Sequence, residues 1–230
     1  MDLEKVQHDF DELAHLSGGD SGSDRYDPLL LKLVPAGAEN VLEVGCGSGR
    51  FTELLAKSNQ KVTAIDLSPE MIARARERFG PSDPVSFYCG DFLEENFNSQ
   101  KFDCIISAAT LHHMSAELAV PRMKELLGPG GTLIIHDLRT DAGITDFARS
   151  GAAFSYDCFR RLLRTGNPRQ PRHVREFWER HASGETYLTI KEAKTLAVQW
   201  LPGARVLYHW LWRYTIVWKK EIELIDRPFG

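Results

Sequence analysis

The regular alternation of short apolar runs and helical patterns between residues 40 and 138 constrains this chain more than any other feature. β-branched runs recur at 41–44, 62–65, 85–88, 104–107 and 132–135, and helical patterns fill most of the gaps, at 50–57, 69–79 and 115–127. Runs of four or five residues are too short for buried helices, and their regular separation by helices reads as βαβ units building a mostly parallel sheet. Right-handed crossovers then bring the loops that follow the strands to one edge, where open α/β sheets take their ligands. Local signals agree: Ser68 precedes Pro69 and Glu70, the order of an N-cap, a first-turn proline and a first-turn acid. Asp27 before Pro28 and the run Leu29-Leu30-Leu31 predicts a second cap of the same kind.

The flanks are less regular. A short helix is predicted over about 6–16, followed by a Ser/Gly-rich loop at 17–23. Beyond Thr140 a helical insert, aromatic and rich in arginine, runs to about Gly184. A helix at 190–200 and strands at 205–209 and 213–219 follow, and the short link Trp210-Leu211-Trp212 makes those strands antiparallel neighbours.

With 230 residues and 43% hydrophobic content the chain can bury one large core without disulfides or metal. Its net charge of -4 argues against general nucleic-acid binding. Cys46, Cys89, Cys104 and Cys158 form no C-x-x-C pair, which fits free thiols and no metal site. The polar start Met1-Asp2-Leu3-Glu4-Lys5 has no apolar segment behind it, and no apolar run is long enough to span a bilayer. A cytoplasmic protein that does not enter membranes is therefore expected.

Gly45, Gly47 and Gly49 fall where the first strand turns into a helix, and glycine there lets the backbone turn tightly and approach a ligand. A nicotinamide fingerprint would place its third glycine one position later, at Arg50. Asp66 ends the second strand about 20 residues on, where a carboxylate can accept both ribose hydroxyls. Asp91 follows the third strand, able to accept from an adenine amino group while Phe92 offers an apolar wall. Each acid has an ordinary alternative: Asp66 as a helper for the next helix, Asp91 as a turn residue.

These segments resemble class I S-adenosylmethionine-dependent methyltransferases. The run Val41-Leu42-Glu43-Val44-Gly45-Cys46-Gly47-Ser48-Gly49 looks like the family's first motif, and Asp66-Leu67-Ser68-Pro69-Glu70-Met71 like its second. Gly90-Asp91-Phe92, Phe102-Asp103 through Leu111-His112-His113-Met114, and Leu126 through Leu133 match the later ones. The resemblance implies a Rossmann-like three-layer α/β sandwich with a seven-stranded, mostly parallel sheet, an antiparallel last strand and a helical insert after strand 5. It divides the chain into an N-terminal helical lid at 1–35 and a methyltransferase domain at 36–230, with a substrate cap at about 140–188. The implied cofactor is S-adenosyl-L-methionine, with S-adenosyl-L-homocysteine as product. Glu43 would hold the loop or the methionine amino group, while Gly45, Cys46 and Gly47 would pass beneath the ligand. Asp66 would bind ribose, Leu67 and Met71 would flank adenine, Gly90, Asp91 and Phe92 would meet its edge, and Ser107 and Ala108 would lie near the methionine part.

Methyl transfer is an in-line displacement, so alignment carries much of it and a base is needed only for a protonated acceptor. His113, slightly favoured, and His112 stand on the ligand edge; either could instead cap the next helix or fill a wall. The Asn/Asp-Pro-Pro-aromatic signature of amino-methylating enzymes is replaced by Ser107-Ala108-Ala109-Thr110, and no carboxylate cluster suggests magnesium. A small-molecule acceptor methylated on oxygen, nitrogen or carbon fits best. The stretch 149–182 holds eight arginines, no lysine and three acids, so Arg160 and Arg164 are candidate contacts to an anionic acceptor, against the reading that they face water. Phe10 and Tyr26 are candidate lid contacts, against the reading that they anchor helices. The tryptophans at 200, 210, 212 and 218 suit a sheet edge or a subunit contact, which leaves a homodimer open. The rival classes are a catalytically silent S-adenosylmethionine-binding regulator and a nicotinamide-dependent oxidoreductase.

Overall fold

The computed structural model describes residues 2–17, 23–58, 61–141, 144–167, 169 and 171–222. Its centre is one seven-stranded sheet of order β3-β2-β1-β4-β5-β7-β6. The strands are β1 (Asn40–Val44), β2 (Lys61–Asp66), β3 (Val85–Cys89), β4 (Phe102–Ala108), β5 (Leu127–Leu138), β6 (Arg205–His209) and β7 (Arg213–Lys219). The first five are parallel; β7 runs antiparallel to both β5 and β6. The helices are α1 (Leu3–Ser17), α2 (Asp27–Leu33), α3 (Arg50–Ala56), α4 (Pro69–Arg76), α5 (Ala116–Leu126), α6 (Ile144–Thr165), α7 (Arg172–Ala182) and α8 (Ile190–Trp200).

Side chains alternate across a strand, and here the alternation builds two cores. Leu42, Val44, Ile105, Leu133 and Ile135 point to one face, where Ala119 and Met123 of α5 and Ala193 and Ala197 of α8 cover them. Val41, Cys104, Ile106 and Ile134 point to the other, under Leu30 of α2 and Phe51 and Leu55 of α3. Burial on both faces is why these strands read as continuous apolar runs rather than as alternating ones. The three-layer α/β sandwich with a mostly parallel sheet is thus the observed fold.

Three local expectations change. The first helix begins at Leu3 rather than near residue 6. β5 begins at Leu127, directly after α5, with a register shift opposite Phe102 and Cys104, so Gly128-Pro129-Gly130-Gly131 lies within the strand as an irregularity. Asp27 does not cap α2: Tyr26 holds the cap position without a side-chain bond, and the buried Asp27 carboxylate pairs with both terminal nitrogens of Arg50 (Nη2–Oδ1 3.2 Å). That ion pair ties α2 to the first residue of α3. Ser68 behaves as expected and accepts from the Met71 N–H at 3.1 Å.

The N-terminal helix and the insert meet over the sheet's ligand edge. Leu13 and Ala14 of α1 pack with Met71 of α4 and Phe177 of α7, flanked by Phe10, Leu16 and Trp178. Buried Asp9 accepts from Lys5 Nζ at 3.1 Å and lies 2.9 Å from His181 Nδ1, and Arg180 pairs with Glu12. The Ser/Gly stretch at 18–22 lies outside the described residues. All four cysteines are free, and no helix among the described residues is long and apolar enough to cross a membrane.

Candidate active site

The loop after β1 is held in a shape that only glycine adopts easily. Gly45 (φ +78°), Gly47 (φ +52°) and Gly49 (φ +76°) are all left-handed. A Cβ on Gly45 would stand 2.0 Å from Thr110 Oγ1, whereas a Cβ on Gly47 would have nothing within 4 Å. Gly45 is therefore required by packing, and Gly47 presents bare backbone to open space. That space is a cavity of about 600 Å³ along the strand ends. Asp66 closes the loop from the next strand: its Oδ2 accepts from Gly47 N–H at 2.7 Å and its Oδ1 from Ser68 N–H at 3.0 Å. Burial raises the Asp66 pKa, and these backbone donors oppose the rise. Glu43 is buried at the end of β1, accepts from the Thr52 hydroxyl at 2.6 Å, and is pushed up to about 8, chiefly by loss of hydration.

Beyond β4 the cavity turns polar. A short helical turn, Leu111–His113, carries both histidines. His112 is clamped by Asp137 at the end of β5: Nδ1 lies 2.6 Å from Oδ1, and its backbone N–H donates to Oδ2 at 2.9 Å. Among the described residues Nε2 of His112 makes no hydrogen bond, and the ring lines the cavity. His113 is more deeply enclosed, with Phe10 edge-on at 5.1 Å and Glu185 Oε2 3.3 Å from Nδ1. Burial, with His112, His181 and Lys5 adding, pushes the His113 pKa down to about 2, so the ring is neutral. His113, His181 and Glu185 offer donor atoms within 4.8 Å of one another, a set that could hold a metal ion; His181 Nδ1 already faces Asp9.

A family model described as a methyltransferase domain matches residues 41–131, the segment that carries the glycine loop, Asp66 and the histidine turn. Residues 41–131 thus resemble a methyltransferase domain in sequence. An uncharacterized methyltransferase of Mycobacterium tuberculosis is 37% identical over 111 residues, covering 48% of this chain and 56% of that protein. Nodulation protein S of Rhizobium tropici is 37% identical over 116 residues, covering 48% of each chain. The chain thus spans about half the length of these curated relatives. Among solved structures, the N-methyltransferase NodS of Bradyrhizobium japonicum in complex with S-adenosyl-l-homocysteine aligns over 86% of both chains, with a TM-score of 0.56 and 20% identity, a likeness of fold.

In this chain most of the residues expected at the cofactor line one cavity. Glu43, Gly45, Cys46 and Gly47 line the cavity from β1, Leu67 and Met71 from β2 and α4, and Gly90, Asp91 and Phe92 from the end of β3. Ala108 lines it from β4, while Ser107 sits behind, its Oγ buried without a partner. Asp91 also acts as a turn residue, accepting from Leu93 N–H at 2.9 Å. Phe10 lines the cavity and also packs with the α1–α7 cluster. Tyr26 does not line it. Its hydroxyl donates to the Trp210 carbonyl and its ring lies against His136, 4.7 Å between centroids, so it anchors α2 from behind the wall.

The arginine expectation is also corrected. Half-buried Arg160 does not line the cavity; the side chain of Arg164 lies outside the described residues. On α7, Arg172 pairs with Glu176 at 2.7 Å on an exposed face, and Arg180 with Glu12 of α1. The arginines that line the cavity are instead Arg50 of α3 and Arg213 of β7. Sequence reasoning also missed His136, Asp137, His181 and Tyr187. The available signal was position: His136-Asp137 ends β5, and an antiparallel β7 must start beside that end.

Proposed function

We propose that the chain is an S-adenosylmethionine-dependent methyltransferase acting on a small-molecule acceptor. One observation carries the reading: the open backbone at Gly47 faces a cavity that continues past Ala108 to a clamped histidine. The residues fit the cofactor, since Gly47 leaves open room where any side chain would intrude. Bound S-adenosylmethionine supplies a methyl group already activated on a sulfonium.

The chain's own residues bind, orient and remove a proton. Asp66 fixes the loop through Gly47 and Ser68 with its two oxygens, leaving their remaining lone pairs for ribose hydroxyls. Glu43 offers a carboxylate beneath the loop. Leu67, Met71 and Phe92 give apolar walls. Helices α1 and α7 shield the strand ends from water, which strengthens every electrostatic contact inside. His112 takes the proton-accepting role in place of His113. Asp137 fixes its Nδ1–H, so Nε2 presents a lone pair, whereas His113 is desolvated to a pKa of about 2 and makes a poor base.

Calorimetry with S-adenosylhomocysteine tests the cofactor: the wild type binds, and Asp66→Ala weakens binding at least about tenfold, the loss of one or two charge-assisted bonds. Wild-type protein that does not bind would overturn the reading. A silent S-adenosylmethionine-binding regulator is the second class. It binds identically but leaves every acceptor in a labelled-methyl screen unmodified.

A further inference from the structure

The far end of the cavity holds a half-buried cation that, among the described residues, has no hydrogen-bond or ion-pair partner. Arg213 begins β7 and lines the cavity with Trp212, Leu138, His136 and Tyr187. Among the described residues its guanidinium makes no hydrogen bond or ion pair, and its Nε is buried without a partner. The nearest acid, Asp137, is already committed to the ring and backbone of His112 and to Leu138 N–H. A buried charge without a partner costs stability, so its presence calls for a function.

A second orphan stands beside it. His136, on β5 opposite Thr215, has a buried Nε2 with no partner, and it too lines the cavity. Its Nδ1 lies 2.9 Å from Thr215 Oγ1, which lies 2.7 Å from His209 Nε2. The Thr215 hydroxyl has one proton. With His209 Nε2–H donating to Thr215 and Thr215 donating to His136 Nδ1, the enclosed His136 Nε2 carries its own proton. Arg213 and His136 then make a pair of donors without acceptors.

The topology says which ligand they serve. Between β1 and β7 lie β4 and β5, so Arg213 is about 14 Å across the sheet from the glycine loop at ~4.8 Å per strand. The histidine turn lies between them.

We propose that Arg213 and His136 form the anchor for a carboxylate on the methyl acceptor, so that this enzyme methylates a small carboxylate-bearing molecule whose reacting atom lies toward His112. A planar carboxylate matches the guanidinium fork, with one oxygen shared to the imidazole N–H. The assignment rests on the methyltransferase reading for the direction in which the acceptor points.

The test compares wild type with Arg213→Met, a side chain of similar length without charge. Benzoate and its neutral counterpart benzyl alcohol are titrated against both proteins by Trp fluorescence and thermal unfolding, with and without S-adenosylhomocysteine; inorganic phosphate is the third probe. The expected result is saturable binding of benzoate to wild type, weakened at least about tenfold in Arg213→Met, the loss of a charged hydrogen-bonded pair. Benzyl alcohol binds both proteins alike and weakly. Removing the unpaired charge raises the melting temperature of the free variant by about 2–4 °C, and S-adenosylhomocysteine affinity stays within about twofold. Equal benzoate affinity in the two proteins, no benzoate binding to wild type, or phosphate binding in its place would overturn the carboxylate anchor. So would an Arg213→Met protein that melts lower and loses S-adenosylhomocysteine, since that marks a structural arginine. Failure of wild type to bind S-adenosylhomocysteine would instead overturn the methyltransferase reading, and the benzoate arm without it still reports on the anchor.

Discussion

Glu43 should make cofactor binding release a proton. Its carboxyl is buried under the glycine loop with one hydrogen bond, from Thr52, and its pKa of about 8 reflects mainly lost hydration, with Asp66 and Asp27 adding and Thr52 and Arg50 opposing. At pH 7 such a group is roughly nine-tenths protonated. An ammonium group brought against it favours the carboxylate and lowers the pKa by about 1–3 units. Taking a bound value near ~6, binding at pH 7 releases about 0.8 proton. By the same linkage, affinity rises about fivefold from pH 6 to pH 7, a window below the titration of a free α-amino group. Calorimetry with S-adenosylhomocysteine in buffers of different ionisation enthalpy measures the proton count directly. Glu43→Gln should remove both the release and the pH slope while keeping the Thr52 contact. A wild-type protein that binds without proton release, with affinity flat from pH 6 to 7, would refute the reasoning. Glu43 would then serve the loop alone.

The same group tilts stability without ligand. Its folded pKa lies above the unfolded value of 4.5, so its contribution is full below about pH 4.5 and is lost as pH rises through 8. Denaturant titrations should show stability falling across that window in wild type and a flatter profile in Glu43→Gln. Gly47→Ala should cost about 1–2 kcal/mol from its left-handed backbone and lower S-adenosylhomocysteine affinity more than about tenfold, read by chemical unfolding and calorimetry; unchanged affinity would move the cofactor off this loop. His112→Ala should lower kcat by about 10²–10⁴ for an acceptor that loses a proton, with cofactor affinity unchanged. Asp9→Asn leaves His181 and Lys5 with a neutral partner; it should cost about 1–3 kcal/mol and speed hydrogen exchange in α1 and α7, with the central strands unaffected.

The sheet and the cofactor half of the cavity were legible because their determinants are local. A strand buried on both faces needs its own apolar residues, as Val41-Leu42 and Ile105-Ile106 show, and a left-handed loop needs its own glycines. The ends of five parallel strands then meet at one edge by topology alone, so Asp66, Asp91 and His112 could be brought together from spacing. Asp27 marks the limit of local reading: Asp-Pro before an apolar run is a cap by every neighbour in sequence, yet Arg50, 23 positions away, takes the carboxylate.

The acceptor half was illegible for the same reason in reverse. Its chemistry depends on pairs far apart in sequence: Asp9 with His181, His113 with Glu185, and His136 with Thr215 across the β5–β7 edge. Arginine count pointed to 149–182, but arginine is abundant on solvated helices because water and nearby acids already satisfy it. What singles out Arg213 is the absence of such satisfaction inside a cavity. A charged side chain that costs stability where it stands is better evidence of a ligand than any number of well-partnered ones at the surface. The carboxylate on the acceptor follows from that imbalance, and Arg213→Met is where it meets measurement.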